Sequence, residues 1–127
     1  MQQIKKVNKS SEDYLEAIYH ILQSSDHAHS VDIAKVLGVS KPSTFSALKK
    51  LASLGLIEKE SYGSVVLTKN GEEIAKSIVK KHKAVLMLLV DVLGVSPNTA
   101  NLDACKIEHS LSEETTQKLF SFLKIND

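Results

Sequence analysis

A tight turn between two short helical segments constrains the fold of this chain more than any other sequence feature. Within residues 31–54, apolar side chains repeat at helical spacing on both sides of Leu37-Gly38-Val39-Ser40. Gly38 can end the first helix, Ser40 can cap the second, and Pro42 is compatible with its first turn. The pattern predicts a helix-turn-helix, with Val39 buried in the turn and a second helix that enters the major groove of DNA.

The flanking segments predict a wing and a second, helical domain. A helix is expected over residues 10–24, and the strand-like runs 56–60 and 65–68 are separated by turn residues, as in a hairpin. Further helices are predicted at 71–93, 96–110 and 113–123. We therefore expect a mainly α fold: an N-terminal winged helix-turn-helix (three helices and a two-stranded wing) in residues 1–70, then a helical dimerisation domain in residues 71–127.

Small hydroxylated and basic side chains face outward on the second helix of the predicted motif. At about 100° per residue, Ser43, Ser46 and Lys50 lie opposite the apolar face. The net charge is only +1, so DNA binding requires a local basic patch. All 16 basic residues are lysines, which leaves base recognition to Lys and Ser side chains and to DNA shape. The candidate DNA-binding residues are Lys41, Ser43, Ser46, Lys49, Lys50, Lys59 and Tyr62; a merely solvated helix face is the alternative interpretation.

The predicted long helix is apolar on nearly all sides over residues 84–90. One small domain cannot cover such a helix, so a subunit interface is the simplest explanation. A homodimer would also suit a regulator that binds palindromic double-stranded operator DNA.

Several potential metal ligands share helical spacings. Cys105, Glu108 and His109 stand at i, i+3 and i+4, and therefore on one face of a helix; Asp13 and Glu16 have the i, i+3 spacing. His82 lies on the long helix. Each residue also has a plain interpretation: acidic residues favour a helix start, His82 belongs to a basic run, and the others can be surface polar groups. Spacing alone leaves metal binding open.

The sequence resembles the diphtheria toxin repressor family, especially its shorter manganese transport regulator branch. The resemblance covers nearly the whole chain, and its most specific part is Asp-Ala-Cys-Lys-Ile-Glu-His-Ser-Leu-Ser at residues 103–112. It implies a divalent-metal-activated repressor that binds operators as a dimer, without the third, SH3-like domain of longer members. Residue by residue, the family's metal ligands fall on Asp13, Glu16, His82, Cys105, Glu108 and His109.

The chain departs from both branches of the family that it resembles. The manganese branch usually has Glu where Cys105 stands, and the iron branch has Met where Asp13 stands. Leu86 and Asn101 replace the Glu and His of the iron branch's ancillary site, so we expect no independent ancillary site. Carboxylate ligands suit Mn²⁺, whereas a thiolate favours Fe²⁺, Co²⁺ or Zn²⁺. Fe²⁺ or Mn²⁺ is the expected cofactor, with Co²⁺ or Zn²⁺ able to substitute in vitro.

Other classes of protein make different predictions. A redox-responsive winged-helix regulator would use Cys105 without metal and would need an accessible, reactive thiol. A regulator of small apolar molecules would need an apolar pocket. A metalloenzyme could use the same ligands, but no substrate-pocket signature accompanies them, so we expect no enzyme. Residues 1–6 lack a signal-peptide run, and no apolar stretch is long enough to span a membrane, so the expected location is cytoplasmic, without membrane partners.

Overall fold

The computed structural model describes residues 7–124, and the chain divides into two compact units, Met1–Lys76 and Ser77–Asp127. Each unit is described separately. Residues 1–6, on which the expected absence of a signal peptide rests, lie outside the described range. The fold is mainly α with an N-terminal winged helix-turn-helix, as predicted. No helix in residues 7–124 is both long and apolar enough to cross a membrane.

The first unit is organised around an amphipathic N-terminal helix, α1 (Lys9–Leu22). The side chain of Asn8 caps it by accepting a hydrogen bond from the backbone N–H of Ser11. Tyr14, Leu15 and Ile18 recur on one face and are at most 4% exposed. They form one core with apolar side chains from the other elements of the unit, namely Ala28, Ile33, Leu48, Leu51, Leu56, Ile57, Val65 and Ala75.

The helix-turn-helix consists of α2 (Ser30–Leu37) and α3 (Lys41–Ser53). Gly38 ends α2 in the left-handed conformation at φ 67°, which glycine adopts without steric cost. Ser40 caps α3 by accepting a hydrogen bond from the backbone N–H of Ser43. The prediction that Val39 is buried is wrong: its side chain is 38% exposed, because Ile33 and the inner face of α3 already fill the core beneath the turn.

The wing is a three-stranded antiparallel sheet, not the two-stranded hairpin predicted. Strands β2 (Ile57–Lys59) and β3 (Ser64–Leu67) form the hairpin, and β1 (Ala28–His29) pairs with the other edge of β3 in the order β1-β3-β2. Ala28 lies opposite Val65 and is fully buried. The short strand β1 therefore joins the hairpin to the helical core.

Helix α4 (Lys69–Met87) follows the wing and runs across the boundary between the two units. The hydroxyl of Thr68 caps it, accepting from the N–H of Gly71 at 3.1 Å while donating to the carbonyl of Gly55 at 2.7 Å. Gly71 has no space for a side chain, because a Cβ there would overlap the backbone oxygen of Leu56. This close approach fixes the start of α4 against the end of the helix-turn-helix.

The second unit contains the rest of α4, α5 (Pro97–Ile107) and α6 (Glu113–Leu123). After Met87 the helix widens into a π-helical turn over Leu88–Val92, and Gly94 follows at φ 75°. Within the apolar segment 84–90, Ala84 and Val85 are buried, whereas the rest is partly or more exposed. Large apolar side chains of this unit that are at least 36% exposed are Met87, Val92, Leu93, Leu102, Ile107 and Phe122.

Candidate DNA-binding surface and metal centre

Helix α3 separates its residues into a buried face and an exposed polar face. Thr44, Leu48 and Leu51 are at most 4% exposed, and the hydroxyl of Thr44 donates to the backbone oxygen of Ser40 at 3.0 Å. All seven residues predicted to contact DNA are exposed: Lys41, Ser43, Ser46, Lys49, Lys50, Lys59 and Tyr62. The hydroxyls of Ser40 and Ser43 lie 2.9 Å apart at the tip of the helix. The exposed face therefore combines hydrogen-bonding groups with lysines, as a groove-binding helix requires.

A cleft of about 360 Å³ lies between the exposed part of α3 and the wing. Leu48 and Val65 contribute to its walls, and Lys41 and Lys59 also line it. Phe45, on the α3 side, is 65% exposed, and the ammonium group of Lys59 lies 5.2 Å from the centre of its ring. At helical spacing Phe45 stands at the flank of the apolar face of α3, a position that does not by itself predict such exposure.

The tip of the wing presents an aromatic side chain almost entirely to solvent. Tyr62 is 97% exposed and has φ 61°, a left-handed conformation that is uncommon outside glycine. At the end of β2, Nδ1 of His27 lies 2.7 Å from Oε1 of Glu60. The carboxylate of Glu60, which would repel DNA phosphates, is thus held by an imidazole.

In the second unit, one buried carboxylate lies between two imidazoles. Glu108 is the C-cap of α5 and is 1% exposed. Its Oε1 lies 2.6 Å from Nδ1 of His82 on α4, and its Oε2 lies 3.3 Å from Nε2 of His109. Two nitrogen ligands and a carboxylate so close together form a donor set that fits Mn²⁺, Fe²⁺, Co²⁺ or Zn²⁺.

A fourth residue of this cluster is Asn101, considered from the sequence only as the replacement of an ancillary-site histidine. Its Oδ1 lies 3.1 Å from Nε2 of His82, so both imidazole nitrogens of His82 have a polar neighbour. Asn101 precedes Glu108 by seven residues, and this two-turn spacing was the available signal. A hydrogen bond to one ring nitrogen of a histidine fixes the orientation and tautomer of the ring. Metal-binding histidines usually have such a hydrogen-bond partner.

The other three predicted ligands are Cys105 in the second unit and Asp13 and Glu16 in the first. Cys105 lies on α5 one turn before Glu108 and is exposed. In residues 7–124, no set of three ligand atoms within 4.8 Å of one another includes its sulfur. In the first unit, Asp13 and Glu16 lie one turn apart on α1, with carboxylate oxygens within 4.8 Å of each other.

The two acidic residues of α1 also contact neighbouring basic groups. Lys9 lies 3.2 Å from Oδ2 of Asp13, and His20 lies 3.7 Å from Oε2 of Glu16. Their side chains are 35% and 20% exposed. Exposed pairs of this kind contribute little stability, so the carboxylates can exchange these partners for a stronger one at small cost.

Comparison with known families identifies both parts of the chain. Residues 6–65 match the N-terminal DNA binding domain of iron dependent repressors, and residues 68–125 match their metal binding and dimerisation domain. An uncharacterised HTH-type transcriptional regulator of Methanocaldococcus jannaschii is 37% identical over 119 residues, which cover 93% of this chain and 95% of that protein.

The transcriptional regulator MntR of Escherichia coli is 43% identical over 104 residues, covering 82% of this chain and 66% of MntR. A solved manganese-dependent transcriptional repressor in complex with manganese superposes with a TM-score of 0.83 at 27% identity, covering 91% of this chain and 53% of that one. The chain thus spans about half to two thirds of these two longer proteins. With both family domains matched in order along its length, the chain belongs to the iron-dependent repressor family of metal-dependent transcriptional regulators.

Proposed function

We propose that this chain is a repressor activated by Fe²⁺ or Mn²⁺, which binds palindromic operator DNA as a homodimer and controls genes of metal-ion homeostasis. The observation that carries the proposal is the buried carboxylate of Glu108 between His82 and His109. It lies in the part of the chain that matches a metal binding and dimerisation domain. Members of the family are transcriptional repressors and not enzymes, which argues against a catalytic role for these ligands.

The proposed metal ligands come from both halves of the chain: Asp13, Glu16, His82, Cys105, Glu108 and His109. Asp13 and Glu16 belong to the DNA-binding half, and the other four belong to the dimerisation half. A bound divalent cation would supply positive charge that offsets the mutual repulsion of clustered carboxylates. Ligands that hold one ion together would restrict the two halves to one relative arrangement, and DNA would select that arrangement.

The dimer is proposed from the apolar surface of the second unit. Val92, Leu93 and Leu102 are each at least half exposed in the single chain. A surface patch of exposed apolar side chains commonly marks an interface between proteins. A two-fold dimer would present two copies of α3 to successive major grooves about 34 Å apart, with the seven exposed residues of α3 and the wing in contact with DNA.

The activating metal follows from the ligand types. Carboxylate oxygens and imidazoles suit Mn²⁺ and Fe²⁺, whereas the sulfur of Cys105 would favour Fe²⁺, Co²⁺ or Zn²⁺. MntR is a named relative, and the matched family domains are described as iron dependent. We therefore propose Fe²⁺ or Mn²⁺ as the metal and the cytoplasm as the location, because a repressor must reach the DNA that it controls.

The proposal is tested by DNA binding as a function of metal. A duplex selected from a random pool by the metal-loaded protein serves as the probe, and fluorescence anisotropy is measured with Mn²⁺, Fe²⁺, Co²⁺, Zn²⁺ or chelator. We expect tight binding only with metal, loss of this dependence in His109→Ala, and retention in Glu114→Gln, an exposed carboxylate of α6. Binding that is unaffected by chelator but abolished by peroxide would refute metal activation and favour a redox role for Cys105.

A further inference from the structure

A large aromatic side chain is exposed on the helix that should enter the major groove. Phe45 lies in the second turn of α3 and is 65% exposed, although burying a phenylalanine is among the larger contributions to folding. It cannot donate or accept a conventional hydrogen bond, so it cannot replace the Ser or Lys side chains that contact phosphates and base edges. Its exposure therefore places a large apolar side chain among the polar ones of α3.

The surroundings of Phe45 restrict what can cover it. The cleft beside it has apolar walls that include Leu48 and Val65, and two lysines, Lys41 and Lys59, line it together with Glu60, whose carboxylate is paired with His27. Lys59 lies within cation–π distance of one face of the ring. Lysine ammonium groups beside an apolar surface match a partner that carries phosphates next to an apolar group. In the major groove, the only apolar group on a base edge is the C5-methyl of thymine.

We infer that Phe45 determines sequence specificity by contacting a thymine methyl group in each half-site of the operator. The inference rests on the proposed function, since it requires that α3 enters the major groove. Lys59 holds the ring from the wing side and lies where it can also neutralise the phosphate backbone beside that base. Recognition of this base pair needs no arginine, in keeping with a chain whose basic residues are all lysines.

The test removes the methyl group from DNA and the ring from the protein separately. Each thymine of the selected duplex is replaced in turn by deoxyuridine, symmetrically in both half-sites, and binding is measured by anisotropy with Mn²⁺ present. For the wild-type chain, we expect one thymine whose replacement weakens binding by about four-fold per half-site, the value for losing one buried methyl contact. In Phe45→Ser, the same replacement should have no effect.

Two further variants exclude a loss of folding as the explanation. Phe45→Leu keeps an apolar side chain and should keep the deoxyuridine effect, reduced in size. Val36→Ser removes an apolar side chain of α2 that is 63% exposed and should leave the deoxyuridine profile as in the wild type. Circular dichroism should show the same helix content for all four proteins.

The possible failures are distinguishable. Suppose that the duplex is bound in a metal-dependent way, but deoxyuridine replacement weakens the binding of Phe45→Ser as much as that of the wild type. The proposed function then stands, and the role of Phe45 is refuted. If Phe45→Ser selects the same sequence from the random pool with unchanged affinity, the inference is equally refuted. If no sequence is selected in a metal-dependent way, the proposed function fails and this inference fails with it.

Discussion

Substitution of Glu108 by Gln should separate metal binding from folding. The amide keeps the shape of the side chain and can still hydrogen-bond to one of the two imidazoles, which lie 2.6 and 3.3 Å from the carboxylate. It removes the negative charge that a divalent cation needs at a site where only 1% of the residue is exposed. We therefore expect the Glu108→Gln chain to fold without metal and to bind metal poorly.

The size of the effect follows from linkage between binding and folding. A metal present at one hundred times its Kd stabilises the folded state by about 2.7 kcal/mol. For a domain of this size, each kcal/mol corresponds to about 3–5 °C in Tm, so metal should raise the wild-type Tm by about 8–14 °C. Loss of a residue that hydrogen-bonds to a metal ligand costs about 10–100-fold in metal affinity, and loss of a ligand itself should reach at least the upper end of that range. The metal-induced increase should then nearly vanish in Glu108→Gln.

The assay is thermal unfolding followed by circular dichroism, with and without Mn²⁺, at one fixed protein concentration because a dimer's Tm depends on it. Glu114→Gln, which removes an exposed carboxylate from α6, should retain the wild-type shift. If Glu108→Gln retains the full metal-induced increase in Tm, Glu108 is not a metal ligand, and the reasoning from its burial between two histidines is wrong.

Three other predictions concern stability, metal selectivity and contact with DNA. Gly71→Ala should lower stability by about 1–3 kcal/mol because its Cβ would overlap the backbone oxygen of Leu56; a gain of about 1 kcal/mol in denaturant unfolding would mean that helix propensity dominates instead. Cys105→Glu should keep metal activation and shift selectivity toward Mn²⁺ in DNA-binding titrations; unchanged selectivity would remove Cys105 from the ligand set. Lys50→Ala should reduce the salt dependence of DNA binding by about one unit on all sequences if Lys50 contacts a phosphate; an unchanged slope would exclude that contact.

The sequence predicts the helices of this fold well because their ends carry strong local signals. Gly38, Ser40 and Gly94 stand where helices end or begin, and the structure uses them in those positions. The strand β1 escaped prediction because two residues, Ala28 and His29, are too few to show an alternating pattern. Its existence depends on pairing with β3, which is a long-range contact that a local pattern does not encode.

The candidate site was predictable in its residue types but not in its contacts. Helical spacing places Cys105, Glu108 and His109 on one face, yet the structure leaves Cys105 exposed and buries Glu108. The contact between His82 and Glu108 joins residues 26 positions apart and depends on the packing of α4 and α5. The exposure of Phe45 likewise could not be read from its position at the edge of an apolar face, because the cleft beside it forms only when the wing folds.

Metal and DNA should stabilise the same state of this protein, so the affinity for metal should depend on whether DNA is bound. Thermodynamic linkage requires that a metal which tightens DNA binding by a given factor is itself bound more tightly by that factor when DNA is present. The Kd for Mn²⁺ should be measured by titration calorimetry on the free dimer and on the dimer bound to the selected duplex. Mn²⁺ should bind more tightly to the complex, by the same factor by which Mn²⁺ tightens DNA binding. An equal Kd for Mn²⁺ in the presence and absence of DNA would contradict activation of DNA binding by metal.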